Sequence, residues 1–577
     1  MTSRQAFKVC FCFRRMFKLE TVEPPEDVKT EFGKYSENGV MNVDQLWWFL
    51  REVQGEKNAT RDDAQAIFNS LKHLPFHRRG LQLDEFFRFL LSPDLNSALP
   101  PPGQVHHNMD APLSHYYIYT GHNSYLTGNQ LNSDCSIEPI KEALKRGVRV
   151  VELDLWPNST RDDVDVRHGG TLTAPVELIS CLRAIRDNAF VASEYPVIIT
   201  FEDHLTSDLQ SRVAQMVIKI FGATLFVPDS DLKVLPSPES LKKRIMISTK
   251  PPKEYLESQP NRSITFQEQH DEEEEPVHSK IRAAPRRFSA KDESESEDEE
   301  KVHQDEDLQL AVPEYRSLIA IHAGKLKGGM KYWFHDDPNK VRRLSLSEQE
   351  LENAALTNAA SIIRFTQRNL LRIFPKGTRF DSSNYNPLIG WAHGAQMVAF
   401  NMQGYGKYLW IMHGMFRGNG GCGYVKKPDF LLNPQDIIDW NDLRPTRVKL
   451  KVKVYFGDGW QSDFSRTHFD MYSPPDFYAR IGIAGLDDDT TIYRTKIRED
   501  SWTPAWNEEF EFPLRVPELA FLRIEVKEYD ASAQHDFGGQ TCFPVSELKT
   551  GIRAVPLHNR KGEKYKNVKL LMRFQFV

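Results

Sequence analysis

Between positions 115 and 202, acid, amide and imidazole side chains stand at or just beyond the ends of short apolar runs. They are His122 and Asn123 in YTGHNSYLTGNQ, Glu152 and Asp154 in VRVVELDLW, His168 in VRHGGTLT, and Glu202 in YPVIITFEDH. The apolar runs predict strands, and the segments between them predict helices. In a chain that alternates strand and helix, such strand ends gather on one face of the sheet, where barrel enzymes carry their active sites. The set therefore indicates chemistry at one shared site.

The acids in this set favour a hard metal ion. Glu152 and Asp154 are two apart on a strand, so their side chains face the same side. Adjacent carboxylates repel each other unless a cation lies between them, and Asn123 and Glu202 offer further hard oxygens, so Ca²⁺ or Mg²⁺ is the expected occupant. No thiol accompanies them, which disfavours softer metals. A lone strand glutamate more often pairs with Lys or Arg, but the whole set favours a site.

The two imidazoles suit a different task. His122 and His168 exceed what a calcium shell needs, because hard cations prefer oxygen ligands. Imidazole is well suited to acid/base work or to countering the charge of a phosphate. A lone histidine more often caps a strand, so the interpretation depends on the set as a whole.

The surrounding pattern predicts a TIM-type (β/α)8 barrel in two halves, at 106–252 and 312–432. Helices such as SIEPIKEALKRG, PVELISCLRAIRDNAF, LQSRVAQMVIKIFG and LSEQELENAALT are predicted between the strands. The predicted strands are HYYIYT, VRVVELDLW, PVIITFED and RIMIST in the first half, and SLIAIHA, SIIRFT and MVAFNMQ in the second.

An acidic segment separates the halves. Between Glu268 and Asp307 there are 16 acids and 6 Lys or Arg, a local charge of -10 in a chain whose net charge is -6. Low hydrophobicity with high charge predicts a disordered linker, placed at 260–311. We hypothesise that this linker lies over a cationic substrate mouth and lowers activity until a membrane repels it; a plain solvated connector is the alternative.

The two ends of the chain have their own character. Residues 1–19 combine basic charge with phenylalanines and the pair Cys10 and Cys12, which suits an anionic membrane surface or, alternatively, a docked tail. Residues 20–100 predict helices, and KYSENGVMNVDQ resembles a calcium-binding hand with Lys34 and Gln45 at its first and twelfth positions. These two residues make calcium binding there improbable, so we interpret the segment as an EF-hand-like helical lobe. Residues 446–577 predict short strands of an antiparallel β-sandwich.

Composition narrows the class of protein. The chain has 577 residues, 40% of them hydrophobic, and only six cysteines. No run of about 18 apolar residues and no signal peptide is visible, so we expect a cytoplasmic protein that does not span the membrane. No nucleic-acid partner is indicated, and a monomer is expected.

The motifs now permit a comparison with a known family. YTGHNSYL, VELDLW, RHGGTLT and VIITFEDH, with LSLSE, LLRIFPKG, FDSSNYNP and QMVAFNMQ, resemble the X and Y boxes of eukaryotic phosphoinositide-specific phospholipase C. The order of segments is similar to the short plant form: EF-hand-like lobe, X, acidic linker, Y and C2 domain, without a pleckstrin-homology domain. The resemblance covers nearly the whole chain.

The resemblance implies a set of roles. Asn123, Glu152, Asp154 and Glu202 would hold one catalytic Ca²⁺, His122 would steady charge on the phosphoryl group, and His168 would protonate the leaving diacylglycerol oxygen. The inositol 2-hydroxyl would be the nucleophile, with Glu152 the first choice as its base. The enzyme would cleave phosphatidylinositol 4,5-bisphosphate through a cyclic phosphodiester, at the cytoplasmic face of the plasma membrane.

The resemblance also implies phosphate contacts and a second calcium site. Lys250, Ser345 and Arg372 would bind headgroup phosphates, and Phe374 stands where the family has a ring-stacking tyrosine. Ser248 stands where the family commonly has a second lysine, which could weaken discrimination between mono- and bisphosphorylated lipids. In the sandwich, acids resemble the loops through which C2 domains bind calcium and anionic phospholipid. These acids are Asp470, Asp476, Glu528, Asp530 and Asp536.

Two other functions stay open from the residues alone. One is a catalytically weak relative that binds calcium and membranes as a scaffold, which Ser248 and Phe374 permit and the intact set of acids and histidines opposes. The other is a barrel phosphodiesterase for soluble glycerophosphodiesters, against which the membrane-facing C2-like domain argues.

Overall fold

The computed structural model describes most of the chain. Lys250 and the whole acidic linker lie outside the described residues. The described residues are 4–10 and 13–18 (backbone only), 23–71, 80–249, 313–324, 332–335, 337–433, 435, 445–465, 468–470, 472–530 and 535–577.

Parallel strands from the two halves of the chain form one barrel. Their order around the sheet is β10-β9-β8-β5-β4-β13-β12-β11. The seam closes where Ala323, just after β10, bridges in parallel to Arg343 at the start of β11. The barrel strands are β4 (Thr120–Gly121), β5 (Val150–Pro157), β8 (Val197–Asp203), β9 (Ile245–Thr249), β10 (Ile319–His322), β11 (Arg343–Ser347), β12 (Leu370–Phe374) and β13 (Met397–Phe400).

Helices cover the outside of this barrel, as expected where parallel strands are joined by crossovers. Short strands complete the barrel region: β3 (Tyr116–Ile118), β6 (Val164–Val166), β7 (Val176–Glu177) and β14 (Tyr424–Lys426). The barrel helices are α5 (Glu138–Lys145), α6 (Leu178–Asn188), α7 (Ser207–Phe221), α8 (Pro313–Ser317), α9 (Glu348–Arg368), α10 (Leu388–Ala392) and α11 (Lys407–Met415).

One predicted strand is wrong. The run SIIRFT, which we expected to be a barrel strand, is the last part of helix α9. A capping box between Ser347 and Glu350 starts this helix, and no Gly or Pro interrupts it, although Asn358 has non-helical backbone angles. Packing of Ile362, Ile363 and neighbouring residues in the core overrides the β-propensity of the run. The true strands are β11 and β12, which the sequence analysis quoted only as motifs.

The sandwich is built from two four-stranded layers that face a common core. Its strand order is β17-β16-β19-β20-β21-β22-β15-β18, and only Gln540 and His558 pair across the β20–β21 step. The strands are β15 (Val448–Asp458), β16 (Phe477–Ala484), β17 (Thr491–Arg494), β18 (Ala505–Leu514), β19 (Phe521–Glu528), β20 (Phe537–Pro544), β21 (Gly551–His558) and β22 (Lys564–Phe576), with a short helix α12 (Trp460–Asp463) after β15.

The N-terminal part contains a β-hairpin and a helical lobe. The loop that resembles a calcium hand bridges Met41 to Leu81 of the next loop, and its Gln45 side chain accepts a hydrogen bond from the backbone N–H of Asn42 as part of a helix cap. The elements are β1 (Arg4–Cys10), β2 (Phe13–Lys18), α1 (Glu26–Tyr35), α2 (Val43–Glu52), α3 (Arg61–Ser70) and α4 (Leu83–Leu90).

The sandwich contacts both other domains. Its Phe456 and Ile552 belong to the same apolar core as the helices of the lobe, and the buried Gln54 of the lobe donates to the Ile552 carbonyl oxygen at 2.7 Å. On the other side, Arg417 after α11 donates to Thr541 Oγ1 at 2.7 Å. The sandwich is therefore attached to the barrel by apolar packing and by polar contacts.

The barrel–sandwich interface buries two histidines, which predicts a loss of stability in acid. His413 is buried with no hydrogen-bond partner for either ring nitrogen among the described residues. Burial, then Arg146 and Arg417, lower the pKa of His413 well below its usual value, and burial lowers that of His558 to about 2. Both rings are neutral when folded and gain a proton when unfolded below about pH 6.5. The stability that the two neutral rings contribute to the folded state is therefore fully present above that pH and is lost as the pH falls below it.

We expect the free energy of unfolding to fall by about 1.4 kcal/mol per buried histidine for each pH unit below about 6. Thermal unfolding of the wild type and His413→Leu between pH 7.5 and 5.0 measures this. The variant should show a shallower pH dependence, whereas the exposed-site control His335→Gln should match the wild type. Parallel curves for His413→Leu and wild type would contradict the prediction.

Candidate active site

Three carboxylates meet at the carboxyl ends of two neighbouring strands. Glu152 and Asp154 lie on β5, and Asp154 is in register with Glu202 on the parallel strand β8. One carboxylate oxygen from each of the three lies within 4.8 Å of the others. The strand-end argument thus brings together acids that are about 50 residues apart in the sequence.

The environment of Asp154 fits a cation. Its Oδ2 accepts a hydrogen bond from the Tyr125 hydroxyl at 2.7 Å, whereas its buried Oδ1 has no hydrogen-bond partner among the described residues. Burial, followed by the Glu202 and Glu152 carboxylates, raises the pKa of Asp154 well above its ordinary value. A buried carboxylate oxygen without a donor, beside two other acids, is stabilised by a hard divalent ion.

Glu152 has two partners at the base of the site. Its Oε2 accepts the backbone N–H of Asn123 at 3.1 Å, and its Oε1 forms an ion pair with Arg372 of β12. Asn123 has a positive φ of 41°, and its side-chain amide nitrogen donates to Gln130 Oε1 at 2.9 Å. The side-chain oxygen Oδ1 of Asn123 is thereby left available as a ligand. Glu152 therefore pairs with an arginine, as a lone strand glutamate often does, and it also belongs to the acid cluster.

Glu202 is held from the opposite side. His204 Nε2 lies 3.3 Å from Glu202 Oε1, and its hydrogen bond holds the pKa of Glu202 below the ordinary value. The His204 ring stacks on Trp156 with centroids 4.0 Å apart. His204 and Trp156 are neighbours of the site that were not predicted from the sequence, although Trp156 ends the predicted strand VRVVELDLW and His204 directly follows PVIITFED.

Both predicted histidines have a fixed orientation. His122 Nδ1 lies 3.0 Å from Asn401 Oδ1, and His168 Nδ1 lies 2.8 Å from the Gln130 carbonyl oxygen. Since both partners are acceptors, each ring donates from Nδ1, which leaves Nε2 for the substrate. Burial lowers the pKa of His122, while the Glu152 carboxylate acts in the opposite direction.

Gln130 connects these groups, and the sequence analysis did not single it out. The Gln130 backbone carbonyl oxygen accepts from His168, and its Oε1 accepts from Asn123. Its amide nitrogen donates to Ser382 Oγ at 2.7 Å and to Asn401 Oδ1 at 3.1 Å. Its position at the end of the quoted motif YTGHNSYLTGNQ was the one available signal. Gln130 thus holds His168 through its backbone carbonyl oxygen, and through its side-chain amide it holds the Asn123 amide and the Asn401 oxygen that faces His122.

These side chains line one cavity of 420 Å³. Lys376 and Arg379 add positive charge to its wall, and Arg379 pairs with the buried Glu348 at 2.6 Å. The cavity is lined by His122, Asn123, Gln130, Asp154, Trp156, His168, Gly169, Glu202, His204, Phe374, Pro375, Lys376, Gly377, Arg379 and Asn401.

The predicted phosphate contacts lie on adjacent strands. Ser345 of β11 is in register with Arg372 of β12, and the Arg372 guanidinium lies over the Phe374 ring, with 5.5 Å between Cζ and the ring centroid. Lys250 lies outside the described residues. Ser248, where we expected a loss of charge, is buried and donates to the Ile321 carbonyl oxygen at 2.8 Å.

The sandwich acids gather at one end of that domain. The Glu528 N–H donates to the Asp536 carbonyl oxygen at 2.9 Å, and the Tyr529 N–H donates to that of Asp476 at 2.7 Å. Glu528 Oε1 is buried without a partner among the described residues. Burial and the surrounding acids Asp470, Asp536, Asp476 and Asp530, in that order, raise the pKa of Glu528 to about 7. This donor set also fits a cation.

A second group of metal-type side chains lies elsewhere, between the barrel and the sandwich. His107 Nε2 lies 3.3 Å from Glu547 Oε1, and His106 Nε2 lies 3.6 Å from Glu547 Oε2. The Lys426 backbone N–H donates to His107 Nδ1 at 3.1 Å, so the neutral ring carries its proton on Nε2. That proton faces Glu547, which makes the group a domain contact rather than a metal site.

The fold and the site together define a class. A parallel barrel with acids and imidazoles at the carboxyl ends of its strands is a barrel enzyme, and the attached antiparallel sandwich is of the C2 type. Family profiles match the phosphatidylinositol-specific phospholipase C X domain at residues 109–251, its Y domain at 327–430, and the C2 domain at 448–559.

Individual relatives make the assignment specific. The chain is 60% identical to phosphoinositide phospholipase C 2 and 57% identical to phosphoinositide phospholipase C 7, both of Arabidopsis thaliana and both over 100% of each chain. It is 32% identical to the rat 1-phosphatidylinositol 4,5-bisphosphate phosphodiesterase delta-1, over 92% of this chain and 69% of the relative. The crystal structure of S. officinalis PLC21 has a TM-score of 0.71 at 24% identity, covering 96% of this chain and 68% of that one.

This chain belongs to the phosphoinositide-specific phospholipase C family, with the domain order of the short plant form, and is an enzyme of that family. This assignment favours a phospholipase over the scaffold and over the soluble phosphodiesterase that the residues alone left open. Among the described residues, no helix is long and apolar enough to cross a membrane.

Proposed function

We propose that this enzyme hydrolyses phosphatidylinositol 4,5-bisphosphate to diacylglycerol and inositol 1,4,5-trisphosphate in a calcium-dependent reaction at the plasma membrane. The observation that carries the proposal is the buried Asp154 Oδ1, which has no hydrogen-bond partner among the described residues and lies beside Glu152 and Glu202, with two oriented imidazoles on the same cavity. The relatives named above carry the phosphoinositide specificity in their names.

Asn123, Glu152, Asp154 and Glu202 are the residues that would hold Ca²⁺. When bound there, the ion supplies positive charge that lowers the pKa of the substrate hydroxyl and offsets charge on the phosphoryl oxygens. Among the described residues, one ion pair to a guanidinium, that of Arg372 with Glu152, is formed by these three acids, so a divalent cation would complete their neutralisation.

The protein's own groups then have distinct tasks. A carboxylate, with Glu152 as first choice, takes the proton of the inositol 2-hydroxyl as its oxygen bonds to phosphorus. The bond from phosphorus to the diacylglycerol oxygen breaks, and His168, which enters the step protonated on both nitrogens, gives that oxygen the proton of Nε2, so that a cyclic phosphodiester forms. Water then gives a proton to His168 Nε2 as its oxygen bonds to phosphorus, the bond from phosphorus to the inositol 2-oxygen breaks, and the carboxylic acid returns its proton to that oxygen. His122, protonated on both nitrogens once a phosphate faces it, donates from Nε2 to a phosphoryl oxygen.

Arg372 couples substrate binding to this chemistry. In the structure its guanidinium pairs with Glu152, yet it also lies beside Ser345 and Phe374. A headgroup phosphate would compete for Arg372 and draw it from Glu152, because an anion with two or more charges attracts a guanidinium more strongly than one carboxylate does. Glu152 is thereby released when substrate arrives.

Apolar side chains around the cavity favour action at a membrane. Leu131, Leu172 and Phe380 are exposed, Leu172 by 87%. They are tied to the site, because the Leu172 N–H donates to the Leu131 carbonyl oxygen and the Gln130 N–H donates to that of Phe380, both at 2.8 Å. Exposed apolar side chains beside a lipid-cleaving site fit the acyl region of a bilayer, which supports a peripheral protein at the cytoplasmic leaflet.

The test of this proposal is hydrolysis of phosphatidylinositol 4,5-bisphosphate in mixed vesicles across a calcium titration. We expect turnover that rises with calcium, stops on chelation, and releases some cyclic inositol phosphate. The double variant His122→Ala/His168→Ala provides the inactive control. Calcium-dependent vesicle binding with no turnover at any calcium concentration would refute the proposal.

The sandwich acids predict a separate calcium effect on membrane binding. Glu528→Gln keeps the shape of the side chain but removes the charge of a buried oxygen that has no partner. We expect about tenfold more calcium to be needed for sedimentation with anionic vesicles, since calcium affinity depends on ligand charge. Cleavage of a soluble headgroup substrate should not change. The control is Glu518→Gln, because Glu518 pairs with Arg447 and precedes β19, whereas Glu528 is the last residue of that strand. Unchanged vesicle binding by Glu528→Gln would contradict the prediction.

A further inference from the structure

An arginine lies inside the barrel, at the start of the strand that carries Ser345. Arg343 is the first residue of β11 and is only 5% exposed. Along this strand Leu344 and Leu346 point outward into the apolar core, so Arg343 and Ser345 face the barrel interior. The sequence analysis did not single out Arg343.

Two serines bind its guanidinium. Arg343 Nε–H donates to Ser248 Oγ at 2.9 Å, and Nη1–H donates to Ser345 Oγ at 2.8 Å. These serines come from different halves of the chain, and they meet because the barrel closes at the bridge between Ala323 and Arg343. The guanidinium therefore reaches from β11 across the seam to Ser248 of β9, the second strand beyond it.

Within the described part of the chain, no carboxylate contacts this buried charge. No carboxylate oxygen there lies within 4.0 Å of Arg343, and Glu152 is already paired with Arg372. Burial, followed by the charge of Arg372, lowers the pKa of Arg343 to about 9, while the more distant Glu152 and Glu202 carboxylates act in the opposite direction, so Arg343 is still protonated at neutral pH. A buried cation whose nearest anions are not in contact with it is costly, and an incoming anion that contacts it would lower that cost.

The two serines differ in what their hydroxyl protons do. Ser248 accepts from Arg343 and donates to the Ile321 carbonyl oxygen, so both of its functions are used. Ser345 accepts from Arg343, and within the described part of the chain its own O–H has no acceptor. Ser345 is half-buried and in register with Arg372. Its proton is thus directed toward an acceptor from outside the protein.

We propose that Arg343 is a positioning residue that determines substrate specificity. It orients the Ser345 hydroxyl toward a phosphate on the inositol ring, and it supplies the positive charge that a lysine at the position of Ser248 would otherwise provide. The inference rests on the proposed function. The relevant ligand chemistry is a ring phosphate monoester, because that group offers the negative charge and acceptor oxygens that Arg343, Ser345 and Arg372 together require. Phosphatidylinositol without ring phosphates has no such group.

The test compares kcat/KM on phosphatidylinositol 4,5-bisphosphate and on phosphatidylinositol in otherwise identical vesicles. Arg343→Met keeps an unbranched apolar stem that reaches about as far as the arginine Nε, and it removes the charged guanidinium. We expect the preference for the bisphosphate to fall about ten- to a hundred-fold, mainly through KM, with little change on phosphatidylinositol. Arg343→Lys should restore part of the preference, and Arg343→Met with Ser248→Lys should restore it from β9.

Arg342→Met is the matched control, because Arg342 donates to the Trp333 and His335 carbonyl oxygens, away from the two serines. Equal losses on both lipids for Arg343→Met would mean a purely structural role and would overturn the inference. So would a preference that stays unchanged in Arg343→Met. Thermal unfolding identifies a variant that fails to fold. If Arg343→Met fails to fold, Arg343→Lys is used instead: a loss confined to the bisphosphate supports the inference, and the absence of a selective loss means a structural role and overturns it.

A binding measurement separates this inference from the proposed function. Calorimetric titration of wild type and Arg343→Met with soluble inositol 1,4,5-trisphosphate, with inositol 1-phosphate as reference, needs no turnover. Weaker binding of the trisphosphate alone supports the role of Arg343, and equal binding by both proteins overturns it. Wild type that cleaves neither lipid would instead refute the proposed function.

Discussion

Asp154→Asn is expected to lower kcat on phosphatidylinositol 4,5-bisphosphate by about 10³-fold or more, and to raise the calcium concentration needed for the remaining turnover. Asparagine has nearly the same shape as aspartate, so its side-chain amide oxygen can accept the hydrogen bond that Tyr125 donates to Asp154 Oδ2. The substitution removes one negative charge from a set of three acids whose oxygens lie within 4.8 Å of each other. Charge is what such a site offers to a divalent cation.

The same substitution should stabilise the protein when calcium is absent. Asp154 is buried beside two like charges, and its raised pKa shows that the ionised form is disfavoured. A neutral amide avoids that cost, so Asp154→Asn should raise the midpoint of thermal unfolding in chelator by a few degrees, about 1 kcal/mol or more. Tyr125→Phe is the matched control, because it keeps every ligand and loses only the orienting hydroxyl. Wild-type activity for Asp154→Asn at unchanged calcium would contradict the assignment of the site.

His168→Ala is expected to reduce kcat by about 10³-fold on the natural lipid, because the diacylglycerol oxygen is a poor leaving group without a proton donor. The defect should depend on the leaving group. With an inositol phosphate ester that carries an aryl leaving group of low pKa, the same variant should regain most of its activity relative to wild type. Initial rates on the two substrates measure the ratio.

His122→Ala provides the contrast for this prediction. His122 faces the phosphoryl group in the proposed reaction, so its loss should cost about as much on the aryl substrate as on the lipid. If the two variants respond alike to the leaving group, the roles given to the two histidines are wrong. Gln130→Glu adds a test of orientation at His122, because the Gln130 side chain reaches that ring through Asn401, whereas the backbone carbonyl oxygen that holds His168 is kept.

The barrel and the acid cluster could be predicted from local patterns. Apolar runs with an acid at the end indicate buried parallel strands with polar carboxyl ends, and the barrel rule then places those ends together. The second half was harder to predict. SIIRFT carries β-branched residues and was predicted as a strand, yet it lies in α9, because the capping box at Ser347 and the core contacts of Ile362 favour a helix.

The sequence by itself determined which residue types stand at the strand ends, because strand and helix periodicity are local properties of the chain. It also determined the charge of the acidic linker and the family motifs. Only the tertiary structure decided that Glu152 pairs with Arg372, that Gln130 orients both histidines, and that Arg343 reaches Ser248 across the seam. These contacts join residues that are distant in sequence, and their geometry depends on strand register and barrel closure, which no local pattern encodes.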